Sequence, residues 1–139
     1  MDTLNLDSES TDGGTLAAYC DGDSIRLLVA EYYGESGDAT RRFYFDRDSV
    51  FFVFSHDERG HRTRRTPYPP RTIIEDERFY FVADRLIRWL DSARRSRDVT
   101  SSEARGNVQS LLSDAQRLYA VMPGCRPKYA PADSVPTER

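Results

Sequence analysis

Lysine is nearly missing from this chain. Of its 20 basic residues only Lys128 is lysine, and the other 19 are arginine. The bias covers every region, which reads as the codon usage of a GC-rich genome rather than as local chemistry. Only two histidines and two cysteines are present. No GxSxG, no HExxH and no phosphate-binding Gly-rich loop occurs. Long apolar runs are missing too. The longest is Val50 to Phe54, far short of the roughly 20 residues that cross a bilayer, so no membrane span is expected. A net charge of −3 argues against a dedicated nucleic-acid binder, for which a basic domain is expected.

The charge is uneven. Residues 1–38 hold nine acids against Arg26 alone, while the rest holds 14 acids and 19 bases. The sharpest basic stretch, Arg59 to Arg71, contains no acid. Composition divides the 139 residues into three parts: a flexible acidic leader at 1–14, one α+β domain at 15–122 and a flexible Pro-rich tail at 123–139. The cysteines, Cys20 and Cys125, fit no zinc-ligand spacing. They are either one disulfide or two unrelated thiols.

Three segments align without gaps: Ala18–Val29, Phe43–Phe54 and Phe79–Leu90. Tyr recurs at the second position (Tyr19, Tyr44, Tyr80) and Asp at the sixth (Asp23, Asp48, Asp84). An aliphatic residue recurs at the eighth (Ile25, Val50, Leu86). Each segment has two strand-forming stretches around a polar turn, the pattern of a β-hairpin. Asp and Gly in the turns supply backbone hydrogen bonds or tolerate positive φ. Three hairpins predict an antiparallel meander of about six strands. A short linker at Gly34–Gly37 and a longer polar loop, His56–Thr72, connect them.

Strict alternation places Phe43 and Phe45 opposite Tyr44. It groups Val50, Phe52 and Phe54 against Phe51 and Val53, and Leu86, Arg88 and Leu90 against Ile87 and Trp89. A capping box at Thr100–Glu103 precedes Ala104, Val108, Leu111, Leu112, Ala115, Leu118, Tyr119 and Met122, spaced by threes and fours. Pro123–Gly124 ends the stripe. One C-terminal helix is therefore expected on one face of the sheet. Part of the other face is left to the loop, the termini or another chain.

Catalytic chemistry is thin. His56, Asp57, Glu58 and His61 lie close in sequence, but their spacing matches zinc sites poorly and reads as a solvated turn. No cofactor is expected. The best candidate surface is the loop with Arg59, Arg62, Arg64, Arg65, Tyr68 and Arg71, where guanidinium groups, a tyrosine and prolines suit a protein interface. An apolar pocket lined by Phe52, Phe54 and Trp89, between sheet and helix, would instead mark a lipid or small-ligand carrier. A bare sheet face would suit a structural homodimer.

The stretches Tyr19–Gly37, Phe43–Phe54 and Glu77–Asp91 resemble a family of small bacterial exported proteins, often lipoproteins, with repeated YYF-x-x-G-x-L hairpins. More distantly they look like the short hairpin repeats of MORN-type antitoxin and immunity proteins. The resemblance implies a periplasmic or envelope location, with an export signal outside this sequence. It carries no catalytic residues. The expected function is thus non-enzymatic: binding a protein partner, in the manner of an inhibitor or immunity protein.

Overall fold

The computed structural model describes residues 2–5, 13–34, 37–61 and 71–122. Seven strands form one sheet in strict sequence order. They are β1 (Asp2–Asn5), β2 (Gly14–Asp21), β3 (Ser24–Gly34), β4 (Gly37–Asp46), β5 (Ser49–His61), β6 (Arg71–Val82) and β7 (Arg85–Leu90). Every neighbouring pair is antiparallel. One helix, α1 (Ser102–Val121), follows. The α+β meander with a C-terminal helix is the architecture that the hairpin pattern and the apolar stripe predict.

The turns show why the chain reverses where it does. Gly22, between β2 and β3, has φ 63°. Arg47 and Asp48 have φ 52° and 67°, and Ala83 and Asp84 have φ 49° and 63°. Two consecutive positive φ values are the backbone of the type I′ hairpin, whose twist matches the flanking strands. Gly37, which opens β4, has φ 154°, and a Cβ there would stand 1.9 Å from the Glu58 carbonyl oxygen. Glycine is thus required where β4 enters against β5.

Side-chain faces depart from strict alternation, and the cause is local. The registers shift after Tyr19, Tyr44 and Tyr80. Tyr19 pairs Leu27 while Cys20 pairs Ile25, leaving Arg26 over. Phe51 and Ile87 are left over in the same way on β5 and β7. Each is a β-bulge, which inserts one residue and resets the inside–outside pattern. Buried residues across each bulge are therefore three apart: Ile25 and Leu28, Val50 and Val53, Leu86 and Trp89. The groupings of Val50 with Phe52 and Phe54, and of Leu86 with Arg88, are corrected accordingly.

Residues directly opposite in a ladder share a face. Ala18, Leu28, Phe43, Val53, Phe79 and Trp89 form one such row across six strands. None is more than 3 % exposed. Helix α1 covers this row with Ala104, Leu111, Ala115 and Leu118, while Val108, Leu112 and Tyr119 pack at its flanks. Trp89 stacks on Phe79 at 5.7 Å, and the Arg97 guanidinium lies over its ring at 4.9 Å. The α1 N-cap is Ser101, whose hydroxyl accepts from the Ala104 amide at 3.0 Å. That is one residue later than a box headed by Thr100. The Thr100 hydroxyl is instead turned to Asp98, at 2.6 Å, and Glu103 pairs with Arg97.

Two stretches that read as unstructured are strands. Asp2–Asn5 pairs with Thr15–Ala18 inside the acidic leader. Both ends of the expected His56–Thr72 loop are strand, because β5 runs on to His61 and β6 begins at Arg71. Mixed-charge pairs across the strands, Arg41–Asp57 at 2.8 Å and Arg59–Glu75, stand where an apolar pattern would otherwise announce a strand. Such pairs stabilise a ladder without any hydrophobic signal.

Candidate functional site

The face opposite α1 carries its own rows. Tyr19, Leu27, Tyr44, Phe52, Tyr80 and Arg88 form one. Ala17, Val29, Arg42, Phe54 and Arg78 form the next. Among the described residues no element packs over them. Tyr44, Phe52 and Tyr80 are half-buried and lie against one another, with ring centroids 5.5 Å and 4.9 Å apart. Phe51, the bulged residue of β5, adds a fourth ring 6.4 Å from Tyr44 and is 47 % exposed.

Arginines hold the edges of this aromatic patch. The Arg78 guanidinium lies 5.0 Å from the Phe54 ring centre, and that of Arg88 lies 5.7 Å from Tyr80. Arg42 is exposed between Val29 and Phe54. Such contacts fix both the cation and the ring. The patch is a pre-ordered surface of aromatic planes and guanidinium groups.

Farther along the same face the charge reverses. The next rows are Thr15, Glu31, Thr40, His56 and Asp76, then Tyr33, Asp38, Glu58 and Ile74. His56 stacks beside Phe54 at 6.5 Å. Its Nδ1 meets the Asp76 carboxylate, and its Nε2 lies 2.9 Å from Glu58. Hydrogen bonding to Glu58, then to Asp76, raises the imidazole pKa above its ordinary value, with burial opposing. The face is therefore polarised: aromatic and basic towards the hairpin turns, acidic towards the opposite end.

The candidates from sequence are scattered by this geometry. Arg59 lies on β5 against Glu75, on the face turned away from His56. Arg71 opens β6 opposite His61. Arg62, Arg64, Arg65 and Tyr68 lie outside the described residues. Phe52 and Phe54 belong to the aromatic patch, whereas Trp89 sits under α1 on the other face. The expected pocket of Phe52, Phe54 and Trp89 is thus divided by the sheet itself, because the bulge at Ile87 turns Trp89 inward. His56 and Glu58 share a face, while Asp57 between them points to the other, so the expected polar turn is a regular strand. Among the described residues no cluster of three or more potential ligands could hold a metal. Cys20, at the exposed end of β2, is disulfide-bonded. Cys125 lies outside the described residues.

No protein-family model, curated protein or solved structure matches this chain. Its function must be read from its own surface. A cleft of about 300 Å³ opens between α1 and the β4–β5 and β6–β7 turns, lined by Phe45, Val50, Leu112 and Tyr119. Tyr119 closes one side by donating its hydroxyl to Asp48. That bond raises the phenol pKa above its ordinary value, so the hydroxyl stays protonated. Asp48, Ser49 and Asp84 also line the cleft, and Asp48 is held by Tyr119. The aromatic–arginine face was missed in sequence because the bulges interrupt the alternation that would have grouped it.

Proposed function

We propose that this chain is a non-catalytic domain that binds a protein partner through the sheet face opposite α1. The observation that carries the reading is the patch of Tyr44, Phe52 and Tyr80, flanked by Arg42, Arg78 and Arg88. Aromatic residues and arginine contribute most at protein interfaces, and the rings bury much area at small conformational cost. Tilted cross-strand ring contacts order these side chains before binding, which lowers the entropy lost on association. The polarity of the face specifies its partner. An apolar surface with acidic groups suits the aromatic end, and basic groups suit the end holding Glu31, Asp38, Glu58 and Asp76. The Arg59–Arg71 segment, with Arg62, Arg64, Arg65 and Tyr68, is a second contact region in this proposal. The resemblance to exported and immunity-type hairpin proteins favours an inhibitor-like role in the periplasm or envelope. A homodimer through the same face is the competing occupant.

The test compares three forms of the chain as affinity baits, each also weighed by sedimentation. They are the native chain, an Arg42→Ala/Phe51→Ser/Arg88→Ala face variant, and an Arg62→Ala/Arg64→Ala/Arg65→Ala variant. All three face positions are exposed, so the fold should survive. The expected result is a partner captured by the native chain and lost, at least tenfold, by the face variant. A partner retained equally by the face variant overturns the assignment of the face. A native dimer that the face variant reduces to monomer assigns the face to self-association instead.

A further inference from the structure

Helix α1 does not cover its side of the sheet uniformly. Around its middle, Asn107, Ser110, Leu111 and Asp114 stand over Arg41, Ser55, Asp57, Glu77 and Phe79 and line a cavity of about 160 Å³ that is half open to solvent. The row beneath runs from Leu16 and Ala30, both fully buried, to Arg41, Ser55 and Glu77. An apolar row thus becomes polar under a helix, where a packed core would call for more leucine or valine.

Ser55 is the sharpest feature. It is 5 % exposed and the only buried polar residue among those described. Its hydroxyl makes no hydrogen bond to any described residue. Buried hydroxyls are seldom left without a partner, so this one is expected to find its partner within the cavity. The carboxylates around it are half-used. Asp57 takes Arg41 through Oδ1 at 2.8 Å, and Glu77 takes the Trp89 indole N–H through Oε2 at 3.0 Å. Asp57 Oδ2 and Glu77 Oε1 carry no hydrogen bond to a described residue. Asp114 pairs with Arg117 across one turn, at 3.3 Å.

The lining therefore presents acceptors in excess. Three carboxylates, two serine hydroxyls and an asparagine amide face one lining guanidinium, and that guanidinium is already bonded to Asp57. An ammonium group is the complementary ligand, with three donors and no acceptor. Phe79 and Leu111 offer an apolar side for a short carbon stem. At about 30 Å³ per water-sized group, the space holds on the order of five non-hydrogen atoms. We propose that this cavity binds a small primary ammonium compound, with the cation against the unbonded carboxylate oxygens of Asp57 and Glu77 and a polar group on Ser55. The site lies across the sheet from the partner-binding face and does not depend on it.

Ethanolamine is the probe, with ethylene glycol and acetate as controls of similar size, all at constant ionic strength. Amide signals of Ser55, Glu77, Asn107 and Ser110 are followed by ¹⁵N-correlated NMR at neutral pH. Saturable shifts with ethanolamine are expected, and at least tenfold weaker responses with the glycol and with acetate. Ser55→Ala and Glu77→Gln should each weaken ethanolamine binding at least tenfold. Should either lose the dispersed spectrum of a folded chain, Asp114→Asn on the outer side of the cavity replaces it, with a severalfold loss expected. Equal responses to the three probes, shifts that never saturate, or full binding by folded Ser55→Ala and Asp114→Asn would each overturn the site.

Discussion

The two faces of one sheet, built from the same strands, use aromatic residues in opposite ways. Under α1, Phe43, Phe79 and Trp89 are sealed at no more than 3 % exposure, with aliphatic neighbours filling the gaps. On the other side Tyr44, Phe52 and Tyr80 lie against one another, Phe51 and Arg88, with no element packed over them among the described residues. The first arrangement removes area from water and drives folding at about 25 cal/mol per Å². The second leaves rings half-covered, so a surplus of area remains to be buried by something else. Register makes the difference: adjacent positions on each strand belong to different faces, and one bulged residue per hairpin decides which.

Truncation measures that contrast most directly. Trp89→Ala should cost about 3–5 kcal/mol, read from the urea midpoint, because it empties the site between Phe79 and Arg97. That is a large share of the roughly 5–15 kcal/mol by which domains of this kind are stable. Phe52→Ala removes two ring contacts and partial burial, and should cost about 1–2 kcal/mol. A loss at Phe52 equal to that at Trp89 would break the comparison, since it would mean that the aromatic face is a second closed core.

How much of this was readable in the residues follows from the same physics. The hairpins were legible because aromatic stretches flank turns whose Asp and Gly tolerate left-handed backbone. The helix was legible because Ala104 to Met122 keeps a period near 3.6. The faces were not. Arg26, Phe51 and Ile87 look like ordinary strand residues, and nothing in their chemistry marks them as insertions. The strand from His56 to His61 was equally hidden, for its partners are charges on β4 and β6 rather than a hydrophobic pattern. The candidate surface failed to appear for both reasons. Strict alternation groups its aromatics with the wrong companions, and its acidic end reads as a loop.

A smaller effect sharpens the account of the turns that set these registers. Ala83 holds φ 49°, a left-handed conformation in which Cβ crowds the following carbonyl oxygen. Asp84 beside it is of a type that tolerates the region. Ala83→Gly should therefore raise stability by about 0.5–1 kcal/mol, the relief of strain exceeding the greater freedom of glycine in the unfolded chain. The denaturation midpoint reads this. A loss of stability instead would place the strain elsewhere in the hairpin and weaken the turn as the origin of the Tyr80–Phe81 register shift.

The smallest expected effect lies at the acidic end of the bare face, where His56 bridges Glu58 and Asp76. Its folded pKa is raised above the unfolded value near 6.5 by those two carboxylates. Protons therefore bind the folded chain more tightly than the unfolded one. The resulting stabilisation is complete below pH 6.5 and fades as pH rises through the folded pKa. Half-exposed Glu58 and solvent screening keep it modest. The stability difference between native chain and His56→Gln should thus be largest in mild acid and shrink above neutrality, with urea unfolding at several pH values as the measure. A difference that grows with pH would reverse the sign. The apolar row of Leu28, Phe43, Val53, Phe79 and Trp89 under α1 holds no titratable side chain and should show no such dependence.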